Sequence, residues 1–239
     1  MCRSVLIYSY VIYLSVLSIL FISIFVKKDT NKIVPIMKNA LIPYLVGELM
    51  VDIAGASPLI RILGEIKYGF LYLNYSYLVL LIVVCFIFKI RLNKFSWKIT
   101  YKQFIYVLIL CGLWVIPQIV LFGGNHLAYN IYRYDSIHSY LIDIILQIPH
   151  PAIYEELVYR GLLISTLKAY IKNESIINII QAFIFGVVHY TNYTSQLSIW
   201  MACLATGGQI LTGFILGKLY FKTKSLTPCI ILHLLRDTI

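Results

Sequence analysis

An all-α, polytopic transmembrane bundle of about eight helices is the fold class this sequence predicts, and three observations carry it. The 239-residue chain is 60% hydrophobic and only 13% charged, against about 45–50% and about 25% in a soluble globular domain. Its mean hydropathy is +0.84. The apolar residues come in blocks of around 20, the length a helix needs to cross roughly 30 Å of hydrocarbon.

The blocks fall at 5–26, 33–60, 69–88, 105–124, 138–150, 152–171, 176–189, 198–217 and 226–236. The first is longer than the apolar region of a secretory signal, has no small-residue cleavage site and ends in Lys27-Lys28, so it reads as a first transmembrane helix. The second contains Pro35, Lys38, Pro43, Glu48, Asp52 and Pro58, which suits a broken, interfacial or internally packed segment. The block at 138–150 is too short to span and ends at Pro149 and Pro151; it is either a surface helix leading into the next span or that span's first half. The count is therefore about eight spans. We divide the chain into a variable N-terminal transmembrane region, 1–137, and a catalytic helical core, 138–239.

Formal net charge is +10, but the basic residues sit in short clusters between apolar blocks. That is the pattern of cytoplasmic loops beside anionic headgroups, and it leaves no reading as a nucleic-acid partner. With eight spans, the loops at 27–32, 89–104, 168–175 and 218–224 share one side and carry most of the lysines. The positive-inside rule then puts them in the cytoplasm and both termini outside. The chain is thus expected to be a multi-pass integral protein of the cell membrane, with lipids as its first partners. Five cysteines are scattered without a CxxC or Cys/His pairing, and they read as small buried hydrophobes. Twenty tyrosines, many near block ends, fit aromatic belts. His126, His138 and His150, in or beside a Tyr- and Asn-rich loop, read as interface residues, and Glu48, Asp52 and Asp143 as interfacial acids.

Ionisable groups inside a span are costly, so each is a candidate functional residue. Three short patterns hold most of them. Glu155-Glu156-x-x-x-Arg160 opens one helix. Glu156 and Arg160, four apart, share a face and can pair, while Glu155 is turned about 100° away toward another partner. One carboxylate is then locked and ionised and the other poised as a base. Taken alone, the motif fits an interfacial acid pair equally well. Phe185-x-x-x-His189 closes the next helix, and His233-x-x-x-Asp237 closes the last. The latter can orient an imidazole, bind a metal or surround an oxyanion; its plain alternative is a polar cap. Alternating helix direction brings all three to one membrane face. A buried carboxylate base, two histidines and an Arg-locked second carboxylate suit water activation for amide hydrolysis.

In this order, EExxxR, FxxxH and HxxxD resemble the CAAX-prenyl-protease and bacteriocin-processing (Abi) family of intramembrane endopeptidases. The likeness covers about residues 145–239, including Gly213-Phe214-Ile215-Leu216-Gly217 and Leu226-Thr227-Pro228. It implies that Glu155 is the general base, activating water with His189. Glu156 and Arg160 hold the site in shape, and His233 and Asp237 lie around the scissile carbonyl. Members are described both as metalloproteases and as metal-free glutamate proteases. HExxH is absent here; a divalent metal such as zinc, where one binds, would take Glu155, His189 and His233. The family often has Asn in place of Asp237, and an ionised Asp cannot donate to an oxyanion. Protonation, orientation of His233 and metal ligation are the roles left to it.

The resemblance implies a peptide or lipidated, CAAX-like substrate, and a role in peptide maturation or bacteriocin immunity. The alternative is a non-catalytic immunity or scaffold protein on the same fold, but Glu155, Glu156, Arg160, His189 and His233 are all in place. A proton-coupled transporter would spread ionisable groups through the depth of the bundle. No GxGD aspartate motif or intramembrane GxSx serine points to another protease chemistry.

Overall fold

A computed structural model of the chain describes residues 78–79, 81–83, 85–86, 91–122, 136–168, 170–194 and 197–238. The expectations for blocks 5–26 and 33–60, for Glu48 and Asp52 and for His126 lie outside these residues. The count of about eight spans includes those blocks.

Among the described residues the secondary structure is entirely helical. A basic segment with a single 3-10 turn at Leu92–Lys94 leads into α1, Tyr101–Phe122. Next come α2, Ile137–Gln147, and a kinked π-helical turn, Ile148–Ile153. A continuous helical stretch follows at 154–167 and is labelled α3. Its middle, Leu157–Leu163, is π-wound, a local widening frequent at functional sites. Then come α4, Glu174–Val188; the short α5, Tyr190–Thr194; α6, Ile199–Thr223; and α7, Thr227–Thr238.

Local chemistry sets the boundaries. The Asn173 side chain accepts from the Ser175 and Ile176 amides at 2.9 and 3.2 Å and caps α4. Lys224, in the left-handed conformation at φ 53°, ends α6 as its amide donates back to the Tyr220 carbonyl. The turn into α7 is tied to the basic segment. There Ser225 Oγ donates to the Ser96 and Lys98 carbonyls and Thr227 Oγ1 to that of Trp97.

α4 and α6 pack most extensively. Their register is antiparallel: Asn178 Nδ2 donates to Phe214 O at 3.1 Å, Gln181 Nε2 to Gly213 O at 2.8 Å, and Gly186 abuts Ile210. A Cβ on Gly186 would lie 2.7 Å from the Ile210 backbone nitrogen, so only glycine permits this approach.

α6 is long and apolar enough to cross a membrane, and among the described residues it alone meets that test. Its N-terminal half buries polar and small residues and exposes large apolar ones. Thr206, Gln209, Thr212, Gly213 and Gly217 are buried, while Trp200, Leu204 and Leu211 are exposed. Apolar side chains outward and polar ones inward is what a lipid solvent selects.

Candidate active site

The first turn of α3, the end of α4 and the last turns of α7 meet in one buried cluster. Glu156 is fully buried and lies four residues before Arg160, also fully buried. Arg160 Nη1 donates to Glu156 Oε1 at 2.9 Å, and Nη2 to the Gly213 carbonyl of α6 at 3.2 Å. The guanidinium also stands over the Phe185 ring, 4.6 Å from its centroid. A buried ion pair holds only when both charges are tied down by further contacts. Here α6 supplies one through Gly213 and α4 supplies another through Phe185.

The same Glu156 oxygen lies 2.7 Å from Nδ1 of His233, whose own exposure is 1%. The carboxylate can only accept, so Nδ1 carries the proton. The other ring nitrogen, Nε2, faces Asp237 Oδ2 at 3.3 Å and Glu155 Oε2 at 3.8 Å. Asp237 in turn accepts from Arg236 Nη1 at 3.1 Å.

His189 is fixed in another way. Its Nδ1 lies 2.7 Å from the Phe185 carbonyl, which again accepts only, so Nδ1 is protonated. In the neutral ring, Nε2 then presents its lone pair. It does so toward Glu155 Oε1, 3.7 Å away. Both Glu155–imidazole distances are too long for direct hydrogen bonds, yet short enough for one water to touch carboxylate and imidazole together. Glu155 Oε2 is buried and has no hydrogen-bond partner among the described residues.

Every residue expected in the site is therefore in one cluster: Glu155, Glu156, Arg160, His189, His233 and Asp237. The donor types suit a divalent metal, since Nδ1 of each histidine is held and Nε2 points to a carboxylate. No three His, Cys, Asp or Glu side chains among the described residues form a group that could hold the ion, however.

Two residues escaped the sequence reading. His150, expected at the interface, is close enough to Glu155, His189, His233 and Asp237 to interact electrostatically with all four. Its ring lies 5.3 Å from that of Tyr154. On an unbroken helix, positions 150 and 155 would point in different directions. The backbone at His150 is instead extended, φ −149° and ψ 129°, because Pro151 follows it. The Pro-His-Pro run was the available signal. Gln181 was missed as well: its Nε2 shares the Gly213 carbonyl with Arg160, which ties the ion pair to the α4–α6 interface.

Residues 136–239 match the family model described as type II CAAX prenyl endopeptidase, Rce1-like. The matched stretch starts just before α2 and includes every residue of the cluster. Over that stretch the chain is similar to the Rce1-like family. This agrees with the resemblance drawn from the three motifs. No curated protein and no solved structure matches the chain. Within the matched stretch, π-wound α3 provides the two glutamates and the arginine, and α4 and α7 one histidine each.

Proposed function

We propose that the chain is a multi-pass intramembrane endopeptidase that hydrolyses a peptide bond in a lipidated, CAAX-like or other membrane-bound peptide, with Glu155 as its base. The observation that carries this reading is the unlike placement of two adjacent carboxylates. Glu156 holds Arg160 and His233 together on its Oε1, while Glu155 faces two imidazole Nε2 atoms across gaps of 3.7 and 3.8 Å.

The steps follow from the atoms present. A water beside Glu155 and His189 donates one hydrogen bond to each. As its oxygen attacks the scissile carbonyl, Glu155 takes its proton. The developing oxyanion needs a donor, which an ionised Asp237 cannot be. His233 fills that role: in its imidazolium form Nδ1 donates to Glu156 and Nε2 to the oxyanion. Asp237 steers that ring, held in turn by Arg236. When the tetrahedral intermediate collapses, the C–N bond breaks and the amine leaves with the proton that Glu155 took. Glu156 and Arg160 keep the frame fixed throughout.

The test is cleavage of a fluorogenic prenylated CAAX peptide, and of a secreted-peptide leader, by the purified full chain in lipid nanodiscs. Wild type is expected to cleave at least one. Glu155→Ala and His189→Ala are expected to lose about 10²–10⁴-fold in kcat/KM, the range for removal of a general acid–base group. A chelator arm run in parallel reports on metal dependence. Cleavage that persists in both folded variants would sink the proposal.

A further inference from the structure

Beside the cluster, on the buried face of α6, two polar side chains each leave an atom unpaired among the described residues. Thr206 and Gln209 are 8% and 7% exposed. Thr206 Oγ1 and Gln209 Oε1 are both buried without a hydrogen-bond partner among the described residues. Inside a membrane helix an unpaired polar atom is costly, since no solvent is there to satisfy it. Threonine in a helix normally avoids this by donating to the carbonyl four residues back. Thr166, Thr212, Thr223 and Thr238 do so at 2.8–3.0 Å. Thr206 does not. Gln209 is held at one end only, with Nε2 donating to the Tyr193 hydroxyl at 2.6 Å. Turning the amide over leaves the same count: one end meets Tyr193 and the other meets nothing.

Register places this pair next to the chemistry. In the antiparallel α4–α6 packing, Gln181 meets Gly213 and Gly186 meets Ile210. One helical turn further along each helix sets Thr206 level with His189. Tyr193, the partner of Gln209, lies one turn beyond His189, and its amide donates to the His189 carbonyl at 3.3 Å.

We propose that Thr206 and Gln209 form a substrate-backbone subsite that grips one residue of an extended peptide beside His189. The two side chains are three apart on one helix face, as neighbours. An extended residue points its N–H and C=O to the same side, as the paired bonds of an antiparallel sheet show. Gln209 Oε1 takes the N–H and the Thr206 hydroxyl donates to the C=O. The subsite therefore recognises backbone, not side chain, and requires the segment to be unwound. This deepens the endopeptidase reading and rests on it for the identity of the substrate.

The test separates the two. Binding of the fluorescent prenylated CAAX peptide is measured on full-length Glu155→Gln protein in nanodiscs, and again with Gln209→Leu, Thr206→Val or Thr206→Ser added. A series of the same peptide with each backbone amide in turn replaced by an ester is run alongside. Gln209→Leu and Thr206→Val are expected to weaken binding about tenfold, the effect of one hydrogen bond, and Thr206→Ser to retain it. One ester position should cost Glu155→Gln about tenfold and cost the Gln209→Leu protein nothing further. Equal binding by all variants, an ester penalty that survives Gln209→Leu, or no peptide binding at all would each overturn the subsite. Wild-type cleavage, scored separately, reports on the endopeptidase reading itself.

Discussion

Two carboxylate–cation contacts at different places in this molecule show how environment divides the same chemistry into different tasks. Glu156 and Arg160 meet at 2.9 Å with both side chains fully buried. Glu174 meets Lys224 at 2.8 Å and Lys168 at 3.4 Å with its side chain half exposed. The distances are nearly the same. At Glu174, water and salt screen the pair, and it contributes little. At Glu156, each charge depends on the other, on the Gly213 carbonyl and on His233, so the pair fixes the position of everything around it. The inner pair is the frame of the candidate site, and the outer one is a rim contact.

The sharpest way to break this comparison is Arg160→Met. Removing one partner of a buried pair leaves Glu156 with His233 alone to balance it, with an expected loss of about 3–5 kcal/mol. Denaturant titration in detergent reads the stability, and cleavage should vanish with it. Gly186→Ala comes next. The new Cβ would press on the Ile210 backbone and force α4 from α6, at about 1–3 kcal/mol for overpacking. A thermal melt should fall, and activity should drop as His189 shifts.

Glu174→Gln is the smallest, a few tenths of a kcal/mol at neutral pH. The hydrogen bond from Lys224 first, and then the nearby Lys168 charge, hold this carboxyl below the usual carboxylate range. Its folded pKa is lowered, so the stability it adds is present above the unfolded value of about 4.3 and is lost as pH falls through the folded one. Wild type and Glu174→Gln should therefore differ at pH 7 and converge in acid. A difference as large as that of Arg160→Met would end the contrast between frame and rim.

The site was legible wherever its chemistry lay at helical spacing. Glu156 with Arg160, Phe185 with His189 and His233 with Asp237 are each four apart, and each pair is in contact. Alternating helix direction then predicted their convergence, because short connections force consecutive helices to run back and forth. Residues whose role depends on a break or on a backbone atom were not legible. His150 reaches the cluster only through the extended residue ahead of Pro151. Gly213 contributes a carbonyl, which has no signature in the sequence. Thr206 and Gln209 belong to no motif in the sequence, and only the packing of α6 buries them. The all-helical class followed from composition.

Adjacent carboxylates with opposite duties are the core of this account, so the most direct measurement compares Glu155→Gln with Glu156→Gln, each scored for melting temperature and for cleavage of the prenylated CAAX peptide. Glu155→Gln is expected to melt with wild type while losing about 10²–10⁴-fold in kcat/KM. Glu156→Gln is expected to melt well below it, because Arg160 and His233 both lose their charged partner. If Glu155→Gln keeps its activity, or if the two variants lose stability equally, the division of labour between the two glutamates is wrong.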